Sequence, residues 1–158
     1  MTKYTLESSR EWYNNLPGKR ASAAMIIRHR DKYLLIKDDY KEAMTMPSGV
    51  IDPNEAPKQT AIRETSEEVG ISFHPDDVRF FGVAYISEHY GFKDRFHFYF
   101  ITEIDESKTV DITLQEGMEY FKWVEASEIG GTLTGDRPAY TRLSQILQSG
   151  DTVSYFEV

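Results

Sequence analysis

Residues Gly49 to Ile71 read GVIDPNEAPKQTAIRETSEEVGI. Within them stand Glu55, the pair Arg63-Glu64, the pair Glu67-Glu68, and Gly70. The order predicts a loop that runs into one helix over about Pro57 to Val69. Proline suits a first helical position, where its missing N–H costs nothing. Glycine suits the position just past a helix end, where a left-handed backbone is needed. Successive helical residues turn by about 100°, so Glu64, Glu67 and Glu68 share one stripe. Ile62, Thr65 and Val69 cluster on another side and are expected to face the core. Like charges at this spacing repel by a few tenths of a kcal/mol per pair. Read on charge alone, the stripe is a solvated helix face. It is also a set of hard oxygen ligands, and Mg²⁺ is commonly held by one or two carboxylates plus substrate phosphates. Arg63 lies beside the stripe, where it would pair with Glu55 or orient Glu64.

The rest of the chain bounds what this segment can be part of. At 158 residues, with 40% apolar and 13% aromatic residues, a single domain over residues 1–158 with a full core is expected. No apolar run reaches the length of a membrane span. The start, MTKYTLESSREW, has no apolar stretch of the kind a signal peptide carries. Zero cysteines exclude disulfides, thiolate metal sites and cysteine nucleophiles. A cytoplasmic setting is the expectation. The net charge of −8 comes without a basic patch, which argues against a nucleic-acid partner. A phosphorylated substrate would be repelled unless cations intervene, so an acidic chain acting on a pyrophosphate points to a divalent metal.

Upstream, residues 1–20 form a lead-in. Leu6 to Leu16 reads as a short helix with Trp12 on its apolar side, docked over part of the core and stopped at Pro17-Gly18. Ala21 to Arg28 and Tyr33 to Lys37 read as a hairpin about the turn Arg30-Asp31-Lys32. A polar loop with Asp38, Asp39, Tyr40 and Lys41 follows, then MTMPSG. Downstream, His74 to Asp77 is a turn, and Val78 to Ile86 and Arg95 to Thr102 are strands. Alternation puts Phe96, Phe98 and Phe100 on one face of the latter, with His97 and Tyr99 opposite. His97 reads as a satisfied structural residue, and His89 in the loop Ser87 to Asp94 is ambiguous. Asp105 to Leu114 is a linker or lid, and Tyr120 to Val124 is a strand. A last helix over Arg137 to Gln148, capped by Asp136, shows Ala139, Leu143, Ile146 and Leu147 at helical spacing.

The full spacing of Gly49 to Ile71 resembles the Nudix box, the signature of the Nudix hydrolases. That pattern is Gly, five residues, Glu, seven residues, Arg-Glu, a bulky apolar residue, any residue, Glu-Glu, any residue, Gly, and a bulky apolar residue. Gly49, Glu55, Arg63, Glu64, Glu67, Glu68, Gly70 and Ile71 match it. Thr65 is the one departure, where the family has Leu, Ile or Val. Two softer differences are Ala56, where Ser or Thr would cap the helix for ~1 kcal/mol, and Ser48, where a second glycine is common. The stretch EWYNNLPGKRASAAM is similar to the lead-in of some bacterial Nudix proteins.

The resemblance implies an α/β/α sandwich around a mixed sheet. It implies a metal-dependent pyrophosphohydrolase that cleaves a nucleoside diphosphate linked to another group, by attack of water on phosphorus. It implies that the Gly49 carbonyl, Glu64, Glu67 and Glu68 hold Mg²⁺, with Mn²⁺ as a substitute, that Arg63 orients the glutamates, and that Glu64 is an alternative general base. An extra carboxylate from a loop would be Glu116 or Glu119. Lys37 and Lys41 would meet phosphate, and Tyr40 or Tyr85 would contact the nucleotide. The partner is a small-molecule nucleotide, and a homodimer is compatible with the family.

The substrate class is open. ADP-ribose hydrolases often carry a proline about fifteen residues past the box, but none stands between Pro75 and Pro138. Dinucleoside polyphosphate hydrolases often carry a tyrosine beyond the box, and Tyr85 and Tyr90 miss its spacing. The isopentenyl diphosphate isomerases of this fold need a cysteine, and this chain has none. A (d)NTP or modified nucleotide remains by default. ADP-ribose, a dinucleoside polyphosphate, and a non-catalytic nucleotide-sensing module are the alternatives.

Overall fold

A computed structural model describes residues 5–88, 91–109, 111–152 and 155–158. His89 and Tyr90 lie outside the described residues. The hairpin is as expected. Strand β1 (Arg20–His29) turns through Arg30-Asp31 into β2 (Lys32–Asp38), with Arg28 opposite Tyr33. Arg30 takes a positive φ of 53° to make this two-residue reversal.

The two strands then diverge. The segment from Met44 to β3 (Ser48–Val50) fills the gap between them. Ile36 and Thr45 exchange backbone hydrogen bonds of 2.8 Å in both directions on one side. On the other, Met25 N–H donates to Pro47 O at 2.9 Å, and Gly49 stands opposite Ala23. Gly49 therefore enters helix α2 (Pro57–Val69) from inside the sheet rather than from a free loop.

The remaining strands are β4 (Arg79–Ile86), β5 (Arg95–Glu103), β6 (Met118–Glu125) and β7 (Tyr155–Glu157). The sheet is mixed, in the order β6-β2-β1-β5-β4-β7, with β3 on β1. β1 and β5 pair in parallel at its centre, and β4 with β7 in parallel at its edge. Because β1 and β5 are buried on both faces, every position along them is apolar or small near the middle, as Ala23 to Ile27 show. One face packs Ala23, Met25, Ile27, Leu34 and Phe100 against Ala61 and Val69 of α2. The other packs Ala24, Ile26, Leu35 and Tyr99 against Tyr140, Leu143 and Ile146 of α4 (Pro138–Ser149). This is the α/β/α sandwich.

Three expectations are corrected. Helix α1 (Leu6–Asn14) has no buried residue, with Trp12 64% and Tyr13 70% exposed, so it does not cover the core. Its apolar side has no buried surface to meet. Arg137, not Asp136, stands at the cap of α4, and no side chain caps it. The connection over Asp105 to Leu114 is not a free lid. It holds the short helix α3 (Glu106–Thr109), and the amides of Thr113 and Gln115 donate to Val69 O and Glu68 O at the end of α2, at 3.0 and 3.3 Å. The strand β7 was not expected at all. Among the described residues no helix is long and apolar enough to cross a membrane.

Candidate active site

Helix α2 begins at Pro57 and ends at Val69, and Gly70 just past it has a φ of 75°, the left-handed conformation expected there. Ala56 offers no side-chain cap, and Gln59 Oε1 instead accepts the Ala56 N–H at 3.1 Å. Thr65 is fully buried, and its hydroxyl donates to Ala61 O one turn back at 2.7 Å. The departure from a bulky apolar residue thus leaves no orphan polar group.

Arg63 gathers the acids. Its Nε and Nη2 donate to the two oxygens of Glu55 at 2.8 and 3.0 Å, a bidentate fork. Its Nη1 donates to Glu64 Oε1 at 2.7 Å and to Glu67 Oε2 at 3.0 Å. Both expected pairings of Arg63 are therefore present together. The guanidinium beside it, with help from the Thr60 hydroxyl, holds the Glu55 carboxyl down at about 2. Glu64 behaves differently: burial raises its carboxyl above the ordinary range despite Arg63.

Gly49 is required by close approach. A Cβ built there would lie 2.0 Å from Glu64 Oε1. Next to it, the Ser48 N–H donates to Glu68 Oε2 at 2.9 Å. The contact uses the backbone, so serine serves as well as glycine at position 48. Burial pushes the Glu68 carboxyl up to about 7, with the charges of Glu64 and Asp38 adding to the rise. Glu67 is the exposed member, with 57% of its side chain in solvent.

These acids meet the requirements of a hard cation only in part. All donors are oxygens, and two half-buried carboxylates lie against the backbone, Glu64 at Gly49 and Glu68 at Ser48. Among the described residues, however, no three acidic or histidine side chains close on a common point. Arg63 holds one oxygen of Glu64 and one of Glu67. Such a set fits an ion that keeps several waters and takes phosphate oxygens as further ligands.

The other expected residues divide. Glu116 is exposed and makes no hydrogen bond or ion pair among the described residues, but it follows Gln115, whose amide is bonded to Glu68 O. Glu119 is instead 3.4 Å from Lys37 Nζ, and Lys37 also donates to Asp38 O. Tyr40 is 77% exposed, with the Lys41 ammonium 5.0 Å from its ring. Tyr85 shares this end of the sheet but stands on β4, three strand spacings from β3, or roughly 14 Å. Its hydroxyl is already given to Asp94, which pairs with Lys19.

Two residues escaped the sequence reading. Arg95 begins β5 at the same end, and its Nη1 is buried without a hydrogen-bond partner. Asp38, passed over as part of a polar loop, ends β2 with 1% exposure. Nothing local in RFHFYF or IKDDY announces either burial, although a charge at the last position of an apolar strand is a weak signal. Burial lowers the His97 imidazole to about 4, and it contacts the Ser22 hydroxyl, which fits its expected structural role.

The family model described as the NUDIX domain matches residues 18–145. The chain belongs to the NUDIX family. A Lactococcus lactis protein provisionally named DHNTP pyrophosphohydrolase is 35% identical over 54 residues, which is 34% of this chain and 32% of that one. A Mycobacterium tuberculosis protein provisionally named 8-oxo-dGTP diphosphatase 3 is 31% identical over 84 residues, 53% of this chain and 38% of that one. The match thus spans about a third of each relative's length. Among solved structures, a Caenorhabditis elegans Ap4A hydrolase superposes with a TM-score of 0.67 at 22% identity, covering 83% of this chain and 96% of that one. This NUDIX chain shares its fold with that enzyme.

Proposed function

We propose that this NUDIX chain is a divalent-metal-dependent pyrophosphohydrolase. Its substrate is a nucleoside diphosphate linked to another group, with a (d)NTP or modified nucleotide as the favoured class. The observation that carries this reading is the pair of half-buried carboxylates, Glu64 and Glu68, held against the Gly49-Ser48 backbone. Placing two acids in a partly dry site is costly unless a cation neutralises them. The name of the Mycobacterium tuberculosis relative supports the substrate class, since 8-oxo-dGTP is a modified nucleoside triphosphate.

In this reading Glu64, Glu67, Glu68 and the Gly49 carbonyl hold Mg²⁺, with Mn²⁺ as a substitute. A divalent ion there supplies charge neutralisation on phosphate oxygens and a lowered pKa for an attacking water. Arg63 fixes Glu64 and keeps Glu67 from swinging away. Glu64, whose other oxygen is not bonded to Arg63, is in this reading the alternative general base. Phosphoryl-type transfer asks mainly for positioning and charge. Glu116, Lys37, Tyr40 and Lys41 lie at the same end of the sheet to take up the rest of the substrate, and the unpartnered Arg95 nitrogen is a donor for it. A cytoplasmic setting accords with the cysteine-free composition.

The test is a substrate panel with Mg²⁺ at mildly alkaline pH. It comprises (d)NTPs, oxidised nucleotides, ADP-ribose, nucleotide sugars and dinucleoside polyphosphates, with products separated by chromatography. One class is expected to turn over, and Glu67→Gln and Glu68→Gln to lose at least 100-fold in kcat. Full Mg²⁺-dependent turnover by Glu68→Gln would end the site assignment. Nucleotide binding without turnover would favour the sensing module.

A further inference from the structure

Asp38 is the only charged side chain in the buried set among the described residues, at 1% exposure. Its Oδ1 has no hydrogen-bond partner there, and its Oδ2 meets the Lys41 ammonium. Its one ion-pair partner is the ammonium of Lys41, three residues on, whose side chain is 35% exposed. An aspartate and a lysine at this spacing in a polar loop would ordinarily both sit in water, where the pair contributes little. Here the acid is taken out of water and the base is left half-exposed. Burying a carboxylate with a single partner is destabilising relative to an apolar residue of similar size. The arrangement therefore has to be accounted for by what it does to Lys41.

The position of the pair supplies the account. Alternation along β2 puts Asp38 on the face of Leu34 and Ile36, which pack with Ala61 and Val69 of α2. The pairing of β2 with β6 slips between Lys37 and Asp38 with Glu119 of β6 as the extra residue, so the alternation of β2 carries through to Asp38. Both charges act on Glu68, Asp38 raising its carboxyl and Lys41 lowering it, and the Lys41 charge also reaches the buried Tyr140 hydroxyl. Asp38 ends β2 at the end of the sheet where the Ser48 N–H holds Glu68, so Lys41, tied to Asp38 and partly exposed, lies at the rim of the acidic site. Its ammonium has three donors. A lysine side chain left free would spread over many rotamers. Tied to a carboxylate that cannot itself move into water, it presents its remaining donors in one place.

We propose that Asp38 is a positioning residue: its buried carboxylate holds Lys41 beside Glu68, where the Lys41 ammonium takes an oxygen of the substrate's phosphate chain. This rests on the pyrophosphohydrolase reading. It assigns Lys41 a direct contact and gives Asp38, which meets no ligand, a role through Lys41 alone.

The test is binding of α,β-imido-dGTP with Mg²⁺, read by titration calorimetry on the full chain, with a thermal melt of each variant. Lys41→Met is expected to weaken binding by about 10- to 100-fold, the range of a charge-assisted hydrogen bond. Lys41→Arg is expected to keep most of it. Asp38→Asn should weaken binding comparably, and this is the distinguishing sign. Removing a negative charge near a polyanion would, by Coulomb attraction alone, tighten binding. Binding by Asp38→Asn as tight as wild type, or tighter, overturns the proposal, as does unchanged binding by Lys41→Met. Should Asp38→Asn not fold, the double variant Asp38→Asn with Lys41→Met, which removes both charges, is compared with Lys41→Met alone. Equal binding supports the proposal and a further loss overturns it. Wild-type protein that neither binds this nucleotide nor turns over any member of the substrate panel overturns both readings. Wild-type binding with unaltered variants overturns this one only.

Discussion

Glu68 is under opposed demands. As a ligand it must be ionised, yet burial keeps its carboxyl protonated up to about 7 against an ordinary 4.5. The sign of the linkage follows. Below about 4.5 the folded and unfolded chains are both protonated at this site. As pH rises from there to about 7 the unfolded chain ionises first, so stability falls, by about 3 kcal/mol for a shift of this size. Glu68→Gln removes that loss and keeps an acceptor for the Ser48 N–H. In a chelator at pH 8 the variant is expected to melt several degrees above wild type, and at pH 4.5 to match it. A wild type as stable as the variant at pH 8 would contradict the buried state of Glu68. Gly49 makes a second prediction at this scale. Gly49→Ala needs no unusual φ, but its Cβ would occupy the place of the Glu64 carboxylate. The fold should survive, with a melting temperature within a few degrees of wild type, while kcat falls by at least 100-fold. Full turnover with alanine at 49 would mean that Glu64 works from another rotamer.

At the scale of elements, α2 is the part most readable in advance. Its limits depend on local physics, a proline that needs no N–H at one end and a glycine that tolerates positive φ at the other. Its weak point was equally readable. Ala56 leaves the helix start without a side-chain cap, and Ala56→Ser should add about 1 kcal/mol. That corresponds to a rise of about 2–4 °C in a chain of this size, with kcat unchanged, and a melting curve decides it. Thr65 shows the limit of such reading. Its misfit with a bulky apolar position was plain, but the bond from its hydroxyl to Ala61 O depends on burial that the spacing does not reveal. Helix α1 failed for a related reason. Its pattern is amphipathic, but a pattern says only that a face is apolar, not that a partner surface exists. Asp38 and Arg95 were missed because a charge becomes buried through what packs over it, and that comes from distant parts of the chain.

At the scale of the whole molecule, the end of the sheet that carries Gly49 also carries the end of β2 and the start of β5. Antiparallel β1-β2 pairing and parallel β1-β5 pairing bring Asp38, Gly49 and Arg95 there together, though they are scattered in sequence. β7 could not be read from YFE alone, since three residues carry no period and its partner lies far upstream. It nevertheless closes the sheet. Phe156 is 7% exposed and stacks on Tyr99 with ring centroids 6.1 Å apart. Phe156→Ala should cost about 3–5 kcal/mol, and calorimetry should show the whole domain melting earlier as one transition. A loss under 1 kcal/mol would mean that β7 is ornamental to the core.

The exposed α1 has an optical consequence. The chain holds two tryptophans. Trp12 lies in water on α1, while Trp123 is half-buried with its indole edge-on to His29 at 5.8 Å. Their fluorescence is therefore separable: a soluble quencher should extinguish the Trp12 emission first, and the shielded emission that persists belongs to Trp123. Anything that settles over α1 would shift the quenched component alone towards the blue, so the protein carries an unlabelled reporter for that helix and an internal standard beside it.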